Sequence, residues 1–160
     1  MQKIKKIKLK MKSELSRPEL LNAFIGSRAP SYIAVQQGQS ALSWAGFIFG
    51  LYWLLYRKMY AYFFLIALFG LFIGLILLII GVQPQNLVWL GLLPHLILGL
   101  MGKRLYLDFA EEKVKAYQHD PKYSAKVFAE AGGTAVSLPL LWLFTQIVVV
   151  LMLSTPFLKY

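Results

Sequence analysis

For 24 residues, 59–82, the chain reads MYAYFFLIALFGLFIGLILLIIGV without one charged side chain. A helix of that length rises about 1.5 Å per residue and reaches roughly 36 Å, enough to cross the hydrocarbon of a bilayer with some tilt. The run is not an isolated stretch of grease. Apolar residues make up 58% of the 160-residue chain and charged ones 15%, a balance that exceeds what a soluble domain usually carries. The class expected is therefore an all-α integral membrane protein.

Two further runs fit that class. After the uncharged turn QPQN, residues 87–102 (LVWLGLLPHLILGLMG) read as a second, shorter span. Residues 135–157 (AVSLPLLWLFTQIVVVLMLSTPF) are again long enough to cross. Orientation follows from the cations. Of 17 Lys and Arg residues, ten precede the first span, six lie between Lys103 and Lys126, and only Lys159 follows the third. Positive charge is retained on the cytoplasmic side. The N-terminus and the loop 103–134 are thus expected inside and the C-terminus outside. That loop reads as helical, with Leu105, Phe109, Val114 and Tyr117 on one stripe and Tyr123, Val127 and Ala131 on one face of a second short segment.

Before the first span comes WAGFIFGLYWLLY, residues 44–56, apolar on every face yet only about 20 Å long as a helix. A segment that short more often lies in or dips into the membrane interface than crosses it, the alternative being a cytoplasmic extension of the first span. Trp44, Trp53, Tyr56, Arg57, Lys58 and Tyr60 are expected as interface anchors, with Arg57 and Lys58 at the inner headgroups, because unpaired charges are almost never fully buried. The expected division is a basic cytoplasmic arm and short helix over 1–43, an interfacial aromatic helix over 44–58, and a three-helix membrane domain over 59–157. In the arm, Lys3, Lys5, Lys6, Lys8, Lys10 and Lys12 alternate with Ile, Leu and Met. That pattern suits a strand edge, a helix or a loosely held arm on anionic lipid, and it also suits docking to a partner.

The strings FIGSRAPSYI, LSWAGFIFGLYWLLYRKMY, GLMGKRLYLDFAEEKV and AEAGGTA, in that order, resemble the small bacterial membrane proteins catalogued as domain of unknown function 2628. The resemblance runs from about residue 20 to 137, and its most specific part is the string from Phe49 to Tyr60. It departs from the usual pattern at Leu42, Ser43, Leu51 and Arg104. What it implies is a multi-pass protein of the bacterial inner membrane; it supplies no catalytic residue.

Candidate chemistry is sparse. The chain has no cysteine, which excludes disulfides, thiol catalysis and Cys-ligated metal centres. No P-loop, HExxH or Ser/His/Asp arrangement is present; AGGTA lacks the Gly-Lys-Ser/Thr ending and reads as a flexible joint. His95, beside Pro94, falls midway along the second span, and an intramembrane ionisable group is a functional hypothesis by default. Gln146 lies midway along the third span, so a His95–Gln146 contact is expected, with Thr145 adjacent, worth on the order of 0.6 to 2 kcal/mol. Gly70 and Gly74 form a small-xxx-small step that suits close packing against the second or third span or dimerisation, with Gly91, Gly99 and Gly102 as candidates for the other half of the contact. Asp108, Glu111 and Glu112 read as a solvated face paired with Arg104 and Lys115. No cofactor, metal or nucleic acid is expected.

The expected role is a non-catalytic accessory or scaffold subunit of an inner-membrane complex, not an enzyme. Its expected partners are anionic lipid and other membrane subunits. The alternative is a small transporter or channel component using His95 and Gln146.

Overall fold

The computed structural model describes residues 16–120 and 123–154, which are mostly helical, with no strand among them. The lysine-rich arm, Lys3 to Lys12, lies outside the described residues. The helices are α1 (Arg17–Ile25), α2 (Ala29–Gln36), α3 (Trp44–Phe49), α4 (Leu51–Tyr56), α5 (Tyr60–Ile79), α6 (Val88–His119), α7 (Ala125–Ala131) and α8 (Ser137–Ser154). A 3₁₀ turn, Pro84–Leu87, joins α5 to α6.

Local chemistry sets these boundaries. Pro18 and Pro30 lie in the first turns of α1 and α2, where a missing N–H costs nothing. The Ser43 hydroxyl accepts from the Gly46 amide at 3.1 Å and the Ser124 hydroxyl from Val127 at 3.2 Å, capping α3 and α7. Glu19 bonds back to the Ser16 amide at 2.7 Å and closes the first turn of α1.

Among the described residues two helices are long and apolar enough to cross a membrane: α5, and α6 together with its 3₁₀ lead-in. The third expected span forms α8, which is apolar but shorter. The loop expected from residue 103 does not begin there. Helix α6 continues unbroken for 32 residues to His119, about 48 Å. Lys103 and Arg104 are good helix formers, so they end an apolar stretch without ending the helix.

The core lies where the charges are. Leu20, Phe24 and Tyr32 pack with Trp53, Leu54 and Met59 against Tyr106, Ala110 and Val114 of α6, and Phe128 of α7 closes one side. Of the expected loop stripe, Phe109, Val114 and Tyr117 are buried and Leu105 half-buried. In α7, Phe128 rather than Val127 points into the core, and Val127 is exposed. A side chain such as Phe24, 1% exposed, contributes about 1.5–3 kcal/mol by its burial. In α5, by contrast, Phe63 alone is buried.

The segment expected as one interfacial helix is a helical hairpin. Gly50, at φ 50° and ψ −125°, adopts a backbone that only glycine takes readily, and the chain reverses there. Contacts with α6 trace the path. The Ser43 amide donates to Gly99 O at 2.7 Å, Gly46 lies on the Leu98 carbonyl, Gly50 on the His95 ring, and Trp53 back on Gly102. Helix α3 thus runs antiparallel to α6 as far as His95, and α4 returns toward Tyr106.

Candidate functional site

The site grows out of that hairpin. A Cβ on Gly46 would fall 2.3 Å from Leu98 O, and one on Gly50 within 2.6–2.8 Å of three His95 ring atoms. Gly99 meets Phe47 in the same way, at 2.6 Å. Of the glycines of α6 expected to receive α5, Gly99 receives Phe47 of α3, Gly102 lies against Ser43 and Trp53 of the hairpin, and Gly91 has nothing within 4 Å. Gly70 has nothing within 4 Å of a built Cβ, and Gly74 has only Leu90, at 3.9 Å.

His95 and Gln146 do not meet. The Nδ1 of His95 lies 3.2 Å from the Gly91 carbonyl one turn back, and its ring packs on Gly50. Gln146 accepts a hydrogen bond from the Tyr52 hydroxyl. Thr145 donates to Leu141 O at 2.9 Å within its own helix. Helices α6 and α8 are separated by the hairpin tip, with Gly50 on one side and Tyr52 on the other. Counting residues from the ends of each span cannot reveal an element inserted between them.

Arg57 is the second correction. It is 2% exposed and is not at the surface. Its guanidinium carbon lies 4.6 Å from the Tyr106 ring centroid, 4.9 Å from that of Tyr32 and 5.8 Å from that of Tyr56. One terminal nitrogen donates to the Tyr32 hydroxyl at 2.7 Å, while Nε has no hydrogen-bond partner among the described residues. Ring faces carry negative quadrupole charge and stabilise a cation by about 2 kcal/mol when water is excluded. The rule that buried charge needs a carboxylate fails here because aromatic faces surround the cation. Burial pushes the Tyr32 phenol above its ordinary pKa, with the Arg57 charge opposing the shift.

Of the other expected anchors, Trp53 is core at 2% exposure, Trp44 is 70% exposed, and Tyr56, Lys58 and Tyr60 are half-buried. Lys58, at φ 59°, turns its ammonium onto the carbonyls of Glu130 and Gly132, 2.7 Å from each, at the C-terminal end of α7. The glycine pair read as a flexible joint is a docked one. The Gly133 amide donates to Phe24 O at 2.7 Å, the Ala135 amide to Tyr56 O at 2.9 Å, and a Cβ on Gly132 would fall 2.7 Å from Phe24 O. Glu111 pairs with Arg17 and accepts from Gln36, tying α1 and α2 to α6 rather than bonding along its own helix to Lys115.

Beside the arginine cage, between the hairpin and the start of α8, lies an open groove of about 350 Å³. Tyr56 is shared: one surface lines the groove and its ring lies against Arg57. Arg28 is the single charged residue of the lining among the described residues. Tyr32, Tyr106 and Arg28 were missed as site residues. The signal was available in part, since FIGSRAPSYI, YRKMY and KRLYLDF, three of the strings that carry the resemblance, each deliver one or more members of this cluster. Among the described residues no group of three or more His, Asp and Glu is placed to hold a metal ion. The arrangement can stabilise positive charge behind an apolar wall.

No curated protein and no solved structure matches the chain. One family does, over residues 14–112, a span that holds α1, α2, the hairpin, α5, and α6 as far as Glu112. The chain that builds this hairpin and its buried arginine belongs to the family described as "Protein of unknown function (DUF2628)".

Proposed function

We propose that this chain is a non-catalytic accessory or scaffold subunit of a bacterial inner-membrane assembly. In this reading it crosses three times, through α5, the apolar half of α6, and α8, with the hairpin α3–α4 re-entering from the cytoplasmic side. The N-terminal arm and the head built by α1, α2, α7 and the end of α6 lie in the cytoplasm, and the C-terminus is periplasmic. The distribution of cations supports that orientation.

The observation that carries the reading is α5. Twenty residues long, it buries Phe63 alone and leaves Phe64, Leu65, Leu68, Phe69, Leu71 and Phe72 at least 60% exposed. Its Gly70–Gly74 step faces almost nothing of the same chain. Lipid satisfies apolar side chains, but a flat small-residue face gains most when a second helix approaches it closely. Partner subunits are therefore bound through the free faces of α5 and α8 and through the basic arm.

Purification from bacterial membranes in mild detergent is expected to recover a stoichiometric partner, and cysteines introduced at Gly70 and Gly74 are expected to cross-link to it. A lone monomer with no cross-link would overturn the subunit reading. A reporter fused to the C-terminus is expected to be active only in the periplasm; cytosolic activity would overturn the topology.

A further inference from the structure

We infer that the groove between the hairpin and α8 is a binding site for one anionic phospholipid, its phosphate on Arg28 and an acyl chain against Phe49, Val136 and Leu140. The inference rests on the membrane reading above and is independent of any partner subunit.

Three observations converge. The groove holds about 350 Å³, within the range of ligand sites, and is concave between two separate elements. Its lining is apolar apart from the Tyr52 and Tyr56 hydroxyls and Arg28. Arg28 is exposed, at the start of α2, and its charge reaches Tyr32, the residue that also holds Arg57.

A second positive charge therefore sits behind the wall. Arg57 is buried against Tyr32 and Tyr56, and Tyr56 is itself part of the lining. Among the described residues no carboxylate lines the groove. Glu111 is engaged by Arg17 and Gln36, and Glu19 by Ser16. Two guanidiniums without a local acid make this mouth a site for negative charge.

The polarity gradient selects the occupant. Arg28, Tyr56 and Val136 lie where the charged head meets the apolar start of α8, since the Ala135 amide is bonded to Tyr56 O. Phe49 lies next to the hairpin tip at Gly50. One charged end and an apolar length is the form of a phospholipid. A free phosphate would gain nothing from the length, and a protein helix would gain nothing from the cation.

The test is native mass spectrometry of the purified chain in mild detergent, mixed with equal amounts of phosphatidylglycerol and phosphatidylcholine. The wild type is expected to retain a single phosphatidylglycerol about fivefold over phosphatidylcholine, the gain for one surface cation. Arg28→Gln is expected to abolish that preference. Leu140→Trp, at a position 58% exposed, fills the groove and is expected to remove retention of both lipids. Lys103→Gln, outside the groove, is expected to leave the preference within about twofold of wild type. Arg28 is an exposed residue, so its replacement decides the matter even if the tryptophan variant unfolds. A wild-type preference below twofold, or one that survives Arg28→Gln, overturns the site. So does a lipid that stays bound in a folded Leu140→Trp protein. Each arm uses the isolated chain, so failure here leaves the subunit reading to its own test.

Discussion

Helix α5 and the α3–α4 hairpin are both apolar along their length, and the structure treats them in opposite ways. In α5 every residue but Phe63 is exposed or half-buried, Gly70 has nothing near it and Gly74 only Leu90, at 3.9 Å. In the hairpin, Gly46 and Gly50 lie so close to α6 that a methyl group would overlap Leu98 O or the His95 ring. The same residue type marks empty space in one and close contact in the other. Hydropathy records only that a side chain avoids water; whether lipid or protein replaces the water is settled by shape.

The contrast can be broken by substitutions, the largest effect first. Gly50→Ala should cost roughly 2–5 kcal/mol, because it combines a disfavoured backbone with a clash at His95. Chemical unfolding in micelles would measure it. Adding His95→Ala should recover the steric part and leave the backbone part. If the double variant is no more stable than the single one, the ring is not what Gly50 accommodates.

Gly46→Ala should cost about 1–3 kcal/mol, since the obstacle 2.3 Å away is backbone and cannot swing aside. Arg57→Lys should lose about 1–2 kcal/mol, because a compact ammonium stacks less well on Tyr32 and Tyr106 and cannot place a donor as the planar fork does. A lysine variant as stable as wild type would show that charge alone matters in the cage. Gly70→Ala should gain about 0.5–1 kcal/mol from helix propensity, as nothing lies against it in the isolated chain. The four midpoints, read in one detergent, sharpen the comparison. A Gly70→Ala loss as large as that of Gly46→Ala would erase it.

Several features are legible in the sequence alone. The uncharged run at 59–82 yields α5, the turn at 83–86 becomes the 3₁₀ link, and the stripe Phe109, Val114, Tyr117 is buried as its spacing requires. What escaped was pairing. Gln146 and His95 fall at comparable positions on their helices, yet Tyr52 and Gly50 take their places as partners. Arg57 looked like a headgroup anchor because its neighbours in sequence are apolar, while its protection comes from Tyr32 and Tyr106, 25 and 49 positions away.

Composition and charge order by themselves pointed to a helical chain with three spans, and among the described residues two of those three form helices long and apolar enough to cross a membrane, because such helices need only length and the absence of charge. They also placed the cations outside the apolar stretches of those helices. The tertiary structure alone decided that the chain turns back at Gly50, that glycines of α6 receive this hairpin, and that Arg57 is buried among tyrosines. Those outcomes depend on contacts between residues far apart in sequence, where close approach to within a few ångströms outweighs any local preference.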